Sequence, residues 1–460
     1  MLYTLLSALW NVWWTSRRPR RWPQLQRRRL DELVRFAREH APFYRDWYRN
    51  LPPAVAGEPV KLAELPPVTK STLMADFDRW VTDPAVTLAG VEAFLADPKR
   101  RTPLFLDRYA VWTTSGSTGA PGVFLHDRPA LATYAALAAL RTGRAWVRFK
   151  ELVRTLPRGR RTALLLATGG PYAAVTTVEL MRHFSPRRLR WVQVFSITQP
   201  MRELVASLDR FQPTVIIGYP TVVDLLAQEQ QDGRLHIAPR LIVTAAEWLD
   251  PTARQRIGQV FGCPVHDFYA ASEFMSIAWD CPAGWLHVNS DWVILEPVDA
   301  DGRPTPPGKP SHSVLLTNLA NRIQPLIRYD LGDSITRQAG PCACGNPFPA
   351  IRVEGRRDDI LALRDGRGQV VRIPPMAPAE IVEETPGVRR YQIVQTGPST
   401  LALRIDVTPG ATREQVWAML EPRMRGFLSA QGLDNVHLRL APEPPQRDPR
   451  SGKYRQVYVA

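Results

Sequence analysis

Apolar positions along the chain fall into two rhythms. Between residues 24 and 50, Leu30, Leu33, Val34, Phe36 and Ala37 recur at helical spacing, and the pattern stops at Ala41-Pro42. From about residue 104 short apolar runs alternate with helical stretches. Val111-Trp112-Thr113 reads as a strand and 129–141 as an alanine-rich helix. Further strands are expected at 163–168, 214–218 and 241–244, separated by helices at 202–211, 221–231 and 251–261. Repeated strand–helix alternation predicts parallel sheets covered by helices, with ligands bound at the carboxyl ends of the strands. From 285 to 335 the chain turns to β character, with strands expected at 292–296, 313–317 and 326–329. After Asp358 a smaller α+β segment begins, with strands at 391–395 and 401–407, a helix at 413–430 and a terminal strand at 457–459. The expectation is an α/β chain: an N-terminal body over 1–357, mainly helical over 1–100, and a C-terminal lobe over 358–460, close to the usual domain size.

The first fourteen residues change that picture locally. Met1 to Trp14 is apolar, but its positive residues follow the run instead of preceding it, the reverse of a signal peptide. Asn11 interrupts a stretch already too short to span a bilayer. An amphipathic helix packed on the body fits best, with contact to a membrane surface as the alternative.

Charge adds a second question. The 460 residues carry a formal net charge of +15, with arginines concentrated at Arg17–Arg29 and around Arg154–Arg161. Such a balance invites a polyanion. No zinc-finger, RNA-binding aromatic or basic-zipper pattern accompanies it, so solvated faces are favoured and no nucleic-acid partner is expected. The four cysteines make no disulfide framework, which points to the cytoplasm.

The sharpest chemical signal is Thr113-Thr-Ser-Gly-Ser-Thr-Gly-Ala-Pro-Gly-Val123. Glycines and hydroxyls after a strand offer backbone N–H and side-chain O–H groups to phosphate oxygens. No Gly-Lys-Ser/Thr follows, so this is not a Walker loop. The segment resembles the phosphate loop of the adenylate-forming enzymes (acyl-CoA synthetases, adenylation domains and luciferases), Ser-Gly-Ser/Thr-Thr-Gly-x-Pro-Lys. Gly122 stands where the lysine usually stands, a departure expected in the phenylacetate–CoA ligase branch.

Further segments match the same family in the same order. The resemblance implies that Ser115, Gly116, Ser117, Thr118 and Gly119 cradle the ATP phosphates. Ala245, Ala246 and Glu247 are similar to the turn that contacts adenine, and Asp267-Phe268-Tyr269-Ala-Ala-Ser272-Glu273 to the Tyr-Gly-x-Thr/Ser-Glu motif. By that likeness Tyr269 stacks on adenine, Ser272 contacts the α-phosphate and Glu273 binds Mg²⁺, which favours one or two carboxylates plus phosphate oxygens. Tyr329-Asp-Leu-Gly-Asp333 implies Asp333 on the ribose, and Gly355-Arg-Arg-Asp-Asp359 implies Arg356 near the nucleotide and Asp358 as hinge. Ser451-Gly-Lys453 is similar to the C-terminal signature whose lysine reaches the reacting carboxylate. Trp112, 195–198, 218–220 and 245–246 are expected to border the acid.

Cys281, His287, Cys342 and Cys344 form a second constellation. Three thiolates and an imidazole suit a closed tetrahedral Zn²⁺ site. Their spacing is not that of a standard finger, so the residues alone leave a zinc site and ordinary buried cysteines both open. Members of the branch carry a zinc-binding Cys/His set in this region, and the resemblance implies zinc here.

The resemblance as a whole implies a large body of helix-covered sheets, a small mobile C-terminal lobe, and ATP-dependent activation of an acid, aromatic by expectation, to its acyl-AMP. Coenzyme A is the expected acceptor. The alternatives are transfer to an amine, hydroxyl or carrier protein, AMP transfer to a cofactor hydroxyl, or a basic binding protein with a vestigial ATP site.

Overall fold

The computed structural model describes residues 2–51, 59–97, 101–114, 122–142, 161–168, 173–184, 191–354, 360–446 and 455–460. The chain folds into two units, each assembled from separated stretches. The first comprises Met1–Trp112, Val123–Leu152 and Asp267–Gly355; the second comprises Thr113–Gly122, Val153–His266 and Arg356–Ala460.

Helices dominate the start of the first unit. The periodic stretch forms a helix over Trp22–His40, broken by the extended backbone of Ala41, and Pro42 opens a second short helix, Pro42–Trp47. A proline suits the first position of a helix, where its missing N–H would have had no partner. Leu33, Tyr44, Leu73 and Trp80 are almost wholly buried in one core with Phe124 and Tyr329. Tyr44 and Trp80 both donate to the carbonyl of Pro325, at 3.0 and 2.7 Å. Burying a large apolar side chain contributes about 1.5–3 kcal/mol, against about 1 kcal/mol net for a hydrogen bond. The apolar contacts therefore hold these helices, and the two bonds to Pro325 fix where they sit.

That registration carries into the strand segment Tyr329–Asp330. Val68 pairs with it in parallel, its N–H on Arg328 O at 3.0 Å and its carbonyl receiving Asp330 N at 2.9 Å. The strand expected over 326–329 is thereby shortened to Tyr329–Asp330, against Ser313–Asn318 and, beyond it, Val293–Val298. Arg328 takes a left-handed backbone (φ 51°), and its buried guanidinium bonds Glu296 at 3.2 Å and the carbonyl of Ala63 at 3.2 Å. A chain that turns there cannot extend the ladder.

The same unit holds antiparallel strands in the order Phe274–Asp280, Leu286–Val288, Ala350–Val353, Ile335–Arg337. Beneath them lies a buried ion pair. Arg141 grips Asp291 with two bonds of 2.6 and 2.8 Å and Asn289 with a third of 2.8 Å. Arg29 also reaches Asp291, with its guanidinium stacked over Trp292 at 3.4 Å. The helix Leu2–Arg17 buries Ala8, Val12 and Thr15 against the helix Arg128–Leu137, so the expected packing on the body is what this face does.

The second unit contains the predicted parallel strands Thr162–Leu166, Val215–Gly218 and Leu241–Ala245, in that order, with an unanticipated strand, Val192–Ser196, on the other side of Thr162–Leu166. Gly218 lies opposite Leu165, and a Cβ there would come within 2.7 Å of Leu165 Cβ, so only glycine lets these strands pair. The helices Met201–Phe211, Pro220–Gln231 and Pro251–Phe261 alternate with the strands as expected. Residues 360–446 and 455–460 add the long hairpin Val388–Gly397/Thr400–Val407, flanked in parallel by Val457–Val459 and His437–Leu440. The helix Arg413–Ala430 starts with a capping box between Thr412 and Gln415 and buries Val416, Leu420, Met424 and Phe427. These side chains share one core with Leu204, Leu208, Val222 and Ile257 from the earlier strand–helix stretch. Gln431 seals the contact by donating to Thr198 O at 2.8 Å. No described helix is long and apolar enough to cross a membrane.

Candidate active site

Strand Val265–Ala271 meets Phe274–Asp280 in a tight antiparallel pairing, with Tyr269 opposite Ala278 and Ala271 opposite Phe274. Ser272 and Glu273 form the link, and a bulge between Tyr269 and Ala271 turns the strand into it. Tyr269 is buried, and its hydroxyl donates to Asp333 Oδ2 at 2.7 Å. Asp333 follows Gly332, whose positive φ (78°) closes a turn pinned by its N–H on Asp330 Oδ1 at 3.1 Å and on Ser313 Oγ at 3.2 Å. The Tyr329 hydroxyl bonds the Glu273 carboxylate. Tyr269, Glu273, Tyr329 and Asp333, drawn from two sequence motifs, thus form one cluster.

Glu273 is only 5% exposed, and burial pushes its carboxyl up to about 7. The Tyr329 hydroxyl and the charge of Lys70 pull it down, and the charge of Asp333 pushes it further up. A carboxyl poised this way gains most when a cation arrives to share its charge.

A neutral polar network holds the Ser272–Glu273 link from beneath. His126 is fully buried, and burial lowers its imidazolium to about 3. Its Nε2 lies 2.9 Å from Ser272 O, which can only accept, so Nε2 carries the proton and Nδ1 accepts from Tyr134 Oη at 3.2 Å. Asn318 Nδ2 donates to Tyr134 Oη at 2.9 Å and to the carbonyl of Glu273 at 2.8 Å. Trp112, expected beside the acid, lies against His126 with ring centroids 3.9 Å apart. His126, Tyr134, Asn318 and Lys70 carry no motif that marks them in the sequence; only the fold brings them to Ser272 and Glu273.

In the second unit, Ala245 ends a strand and Ala246 takes a left-handed conformation (φ 70°). That turn places Glu247 to accept from Thr221 N at 3.1 Å and Thr221 Oγ1 at 2.8 Å. Phe195 and Ile197, expected near the acid, pack inside this unit's core. Asp267 and Phe268 stand in strand Val265–Ala271, with Phe268 opposite Trp279. Ser115, Gly116, Ser117, Thr118, Gly119, Arg356, Asp358 and Lys453 lie outside the described residues.

Cys281, His287, Cys342 and Cys344 come together in the first unit, their ligand atoms all within 4.8 Å of one another. Two tight turns present them. Gly284 N returns to Cys281 O at 2.9 Å, and Gly345 N to Cys342 O at 2.9 Å. Two thiolates on one tetrahedral zinc, each about 2.3 Å from it, stand about 3.8 Å apart. Cys281 Sγ and Cys342 Sγ are 3.7 Å apart, far beyond a disulfide bond. His287 Nδ1 is 2.8 Å from the carbonyl of Phe348, which directs the Nε2 lone pair towards Cys344 Sγ at 3.1 Å. A histidine oriented by a backbone carbonyl is the usual second layer of a metal ligand. The four residues fit a zinc ion in number, type and spacing.

The profile of the AMP-binding enzyme family matches residues 52–312, more than half of the chain. The chain belongs to the AMP-binding enzyme family. Within it, the phenylacetate–coenzyme A ligase of Thermus thermophilus is 26% identical over 465 residues, covering 94% of this chain and 95% of the relative. Protein CapK of Staphylococcus aureus is 21% identical over 417 residues, covering 87% of this chain and 82% of the relative. Among solved structures, 2-hydroxyisobutyryl-CoA ligase in complex with 2-HIB-AMP and CoA has the same fold, with a TM-score of 0.55, 21% identity, and coverage of 96% of this chain and 90% of that one. This AMP-binding enzyme is an adenylate-forming ligase of the phenylacetate–CoA ligase-like branch.

Proposed function

We propose that this enzyme couples an apolar, aromatic carboxylic acid to the thiol of coenzyme A through an acyl-AMP. The observation that carries the reading is the cluster of Tyr269, Glu273, Tyr329 and Asp333: a buried carboxyl beside a second carboxylate already oriented by a phenol. Asp333, oriented by the Tyr269 hydroxyl, would meet the ribose hydroxyls. Glu273 would hold Mg²⁺, which would supply charge neutralisation to the phosphates.

In the first half-reaction an oxygen of the acid attacks the α-phosphorus of ATP, and the bond to the β-phosphate oxygen breaks, releasing pyrophosphate. Ser115–Gly119 would bind the leaving phosphates, and Lys453 would neutralise charge at the pentavalent phosphorus. In the second, the thiolate attacks the acyl carbon and AMP leaves. A rotation of the lobe 358–460 about Asp358 would withdraw Lys453 and admit the thiol, and it would have to open the core that the lobe shares with Leu204, Leu208, Val222 and Ile257. Cys281, His287, Cys342 and Cys344 would hold a structural zinc that tethers two turns and takes no part in either step.

The test is ATP–pyrophosphate exchange against a panel of aryl and aliphatic acids, with Lys453→Ala as control, followed by thioester assay with coenzyme A. Acid-dependent exchange abolished in the control, and thioester formed with an aryl acid, are expected. Exchange with no thioester for any acid would refute coenzyme A as acceptor. No exchange from folded protein would refute adenylation.

A further inference from the structure

The helix Leu2–Arg17 is apolar on two opposite sides. One side, with Ala8 and Val12, is buried against the body. The other carries Tyr3, Leu6, Trp10 and Trp13 at spacings of three and four, one stripe along the helix. Tyr3 is 85%, Leu6 55% and Trp10 63% exposed. Packing explains the inner side and leaves the outer stripe unexplained, because a surface helix ordinarily turns polar residues outward.

Charge distinguishes the possible occupants. The first 30 residues contain seven arginines and no acidic residue. Arg17 closes the stripe with its guanidinium 4.6 Å from the ring centroid of Trp13, which itself stacks on Trp10. Arg18 and Arg21 lie over Trp14 at 4.8 and 5.5 Å, and Arg17, Arg18, Arg20 and Arg21 are all exposed. Tryptophan and arginine side by side suit the boundary of a bilayer, where the ring sits among headgroups and the guanidinium meets lipid phosphate. A second copy of this surface would bring arginines against arginines with no carboxylate to answer them.

We propose that the outer stripe of Leu2–Arg17, with the arginines that follow it, docks the enzyme on a bilayer surface rich in anionic phospholipid. Docking leaves the inner face and the site cluster untouched, and it stands apart from the adenylation chemistry.

Vesicle co-sedimentation of the full chain tests this, comparing phosphatidylglycerol–phosphatidylcholine vesicles with pure phosphatidylcholine. Binding to the anionic vesicles, at least about tenfold weaker on the neutral ones and falling as salt rises, is expected. Leu6→Glu/Trp10→Glu should abolish it. Replacing Arg17, Arg18, Arg20 and Arg21 by Gln should lower affinity by about five-fold per arginine. Circular dichroism and thermal melting show that each variant is folded. Failure of the folded wild-type chain to bind anionic vesicles overturns the proposal, as does binding unaffected by Leu6→Glu/Trp10→Glu. A dimer in sedimentation equilibrium that Leu6→Glu/Trp10→Glu dissolves, with no vesicle binding, overturns it in favour of self-association.

Discussion

A neutral imidazole below the Ser272–Glu273 link shows how much of this site is backbone positioning. His126 touches neither carboxylate, yet its N–H fixes the carbonyl of Ser272 while Asn318 fixes that of Glu273. Replacing His126 by Leu would leave the Ser272 carbonyl and the Tyr134 hydroxyl buried and without that partner. The expected cost is about 1–3 kcal/mol in urea unfolding, with His126→Gln, which keeps an N–H donor, recovering part of it. Tyr269, Glu273 and Asp333 were legible in the sequence because their neighbours along the chain form motifs. His126, Tyr134 and Asn318 were not. His126 and Ser272 are 146 residues apart and Tyr134 and Asn318 are 184 apart, so the bonds exist only once the strands have paired.

At the scale of elements, the Cys/His set depends on two turns as much as on four side chains. The four residues were visible in the sequence as a constellation whose spacing left zinc and ordinary buried cysteines both open, but the turn at Gly284, the turn at Gly345 and the orienting carbonyl of Phe348 were not visible. Elemental analysis should find about one zinc per chain, and Cys281→Ser or Cys342→Ser should lose most of it. Chelation under mild denaturant should lower the melting temperature and open 281–287 and 342–348 to hydrogen exchange before the rest of the unit. Three of the four parallel strands described, and the helices between them, were read correctly because buried strands are continuous apolar runs and the helices keep their own period. The expected strand at 326–329 failed for a local reason: Leu326 and Ile327 are as apolar as any strand, but their burial comes from loop packing under Trp80 and Tyr44. Apolar content cannot distinguish those two kinds of burial.

At the scale of the whole molecule, the first unit is tied together by a few charged groups where apolar contact alone would leave the order of segments loose. Asp291 receives Arg141 and Arg29 from two distant helical stretches. Burial pushes its carboxyl up, and the two guanidinium groups more than reverse this, holding it below the usual carboxylate range. The stability it contributes is therefore present above the unfolded value of about 3.9 and is lost as pH falls through the lower folded value. Asp291→Ala should cost about 3–5 kcal/mol near neutral pH, since it leaves Arg141 buried and uncompensated, and should flatten the acid limb of the pH–stability curve. The second unit raises a different matter, that of timing during synthesis. Its core joins Leu204, Leu208 and Ile257 to Leu420, Phe427 and Val457, with the whole stretch Asp267–Gly355 made in between. At about 5–20 residues per second, the earlier half waits on the order of ten to forty seconds for its partner to leave the ribosome. During that interval its strands and helices carry an uncovered apolar face, and the nascent chain is most exposed to misassociation and most dependent on chaperones.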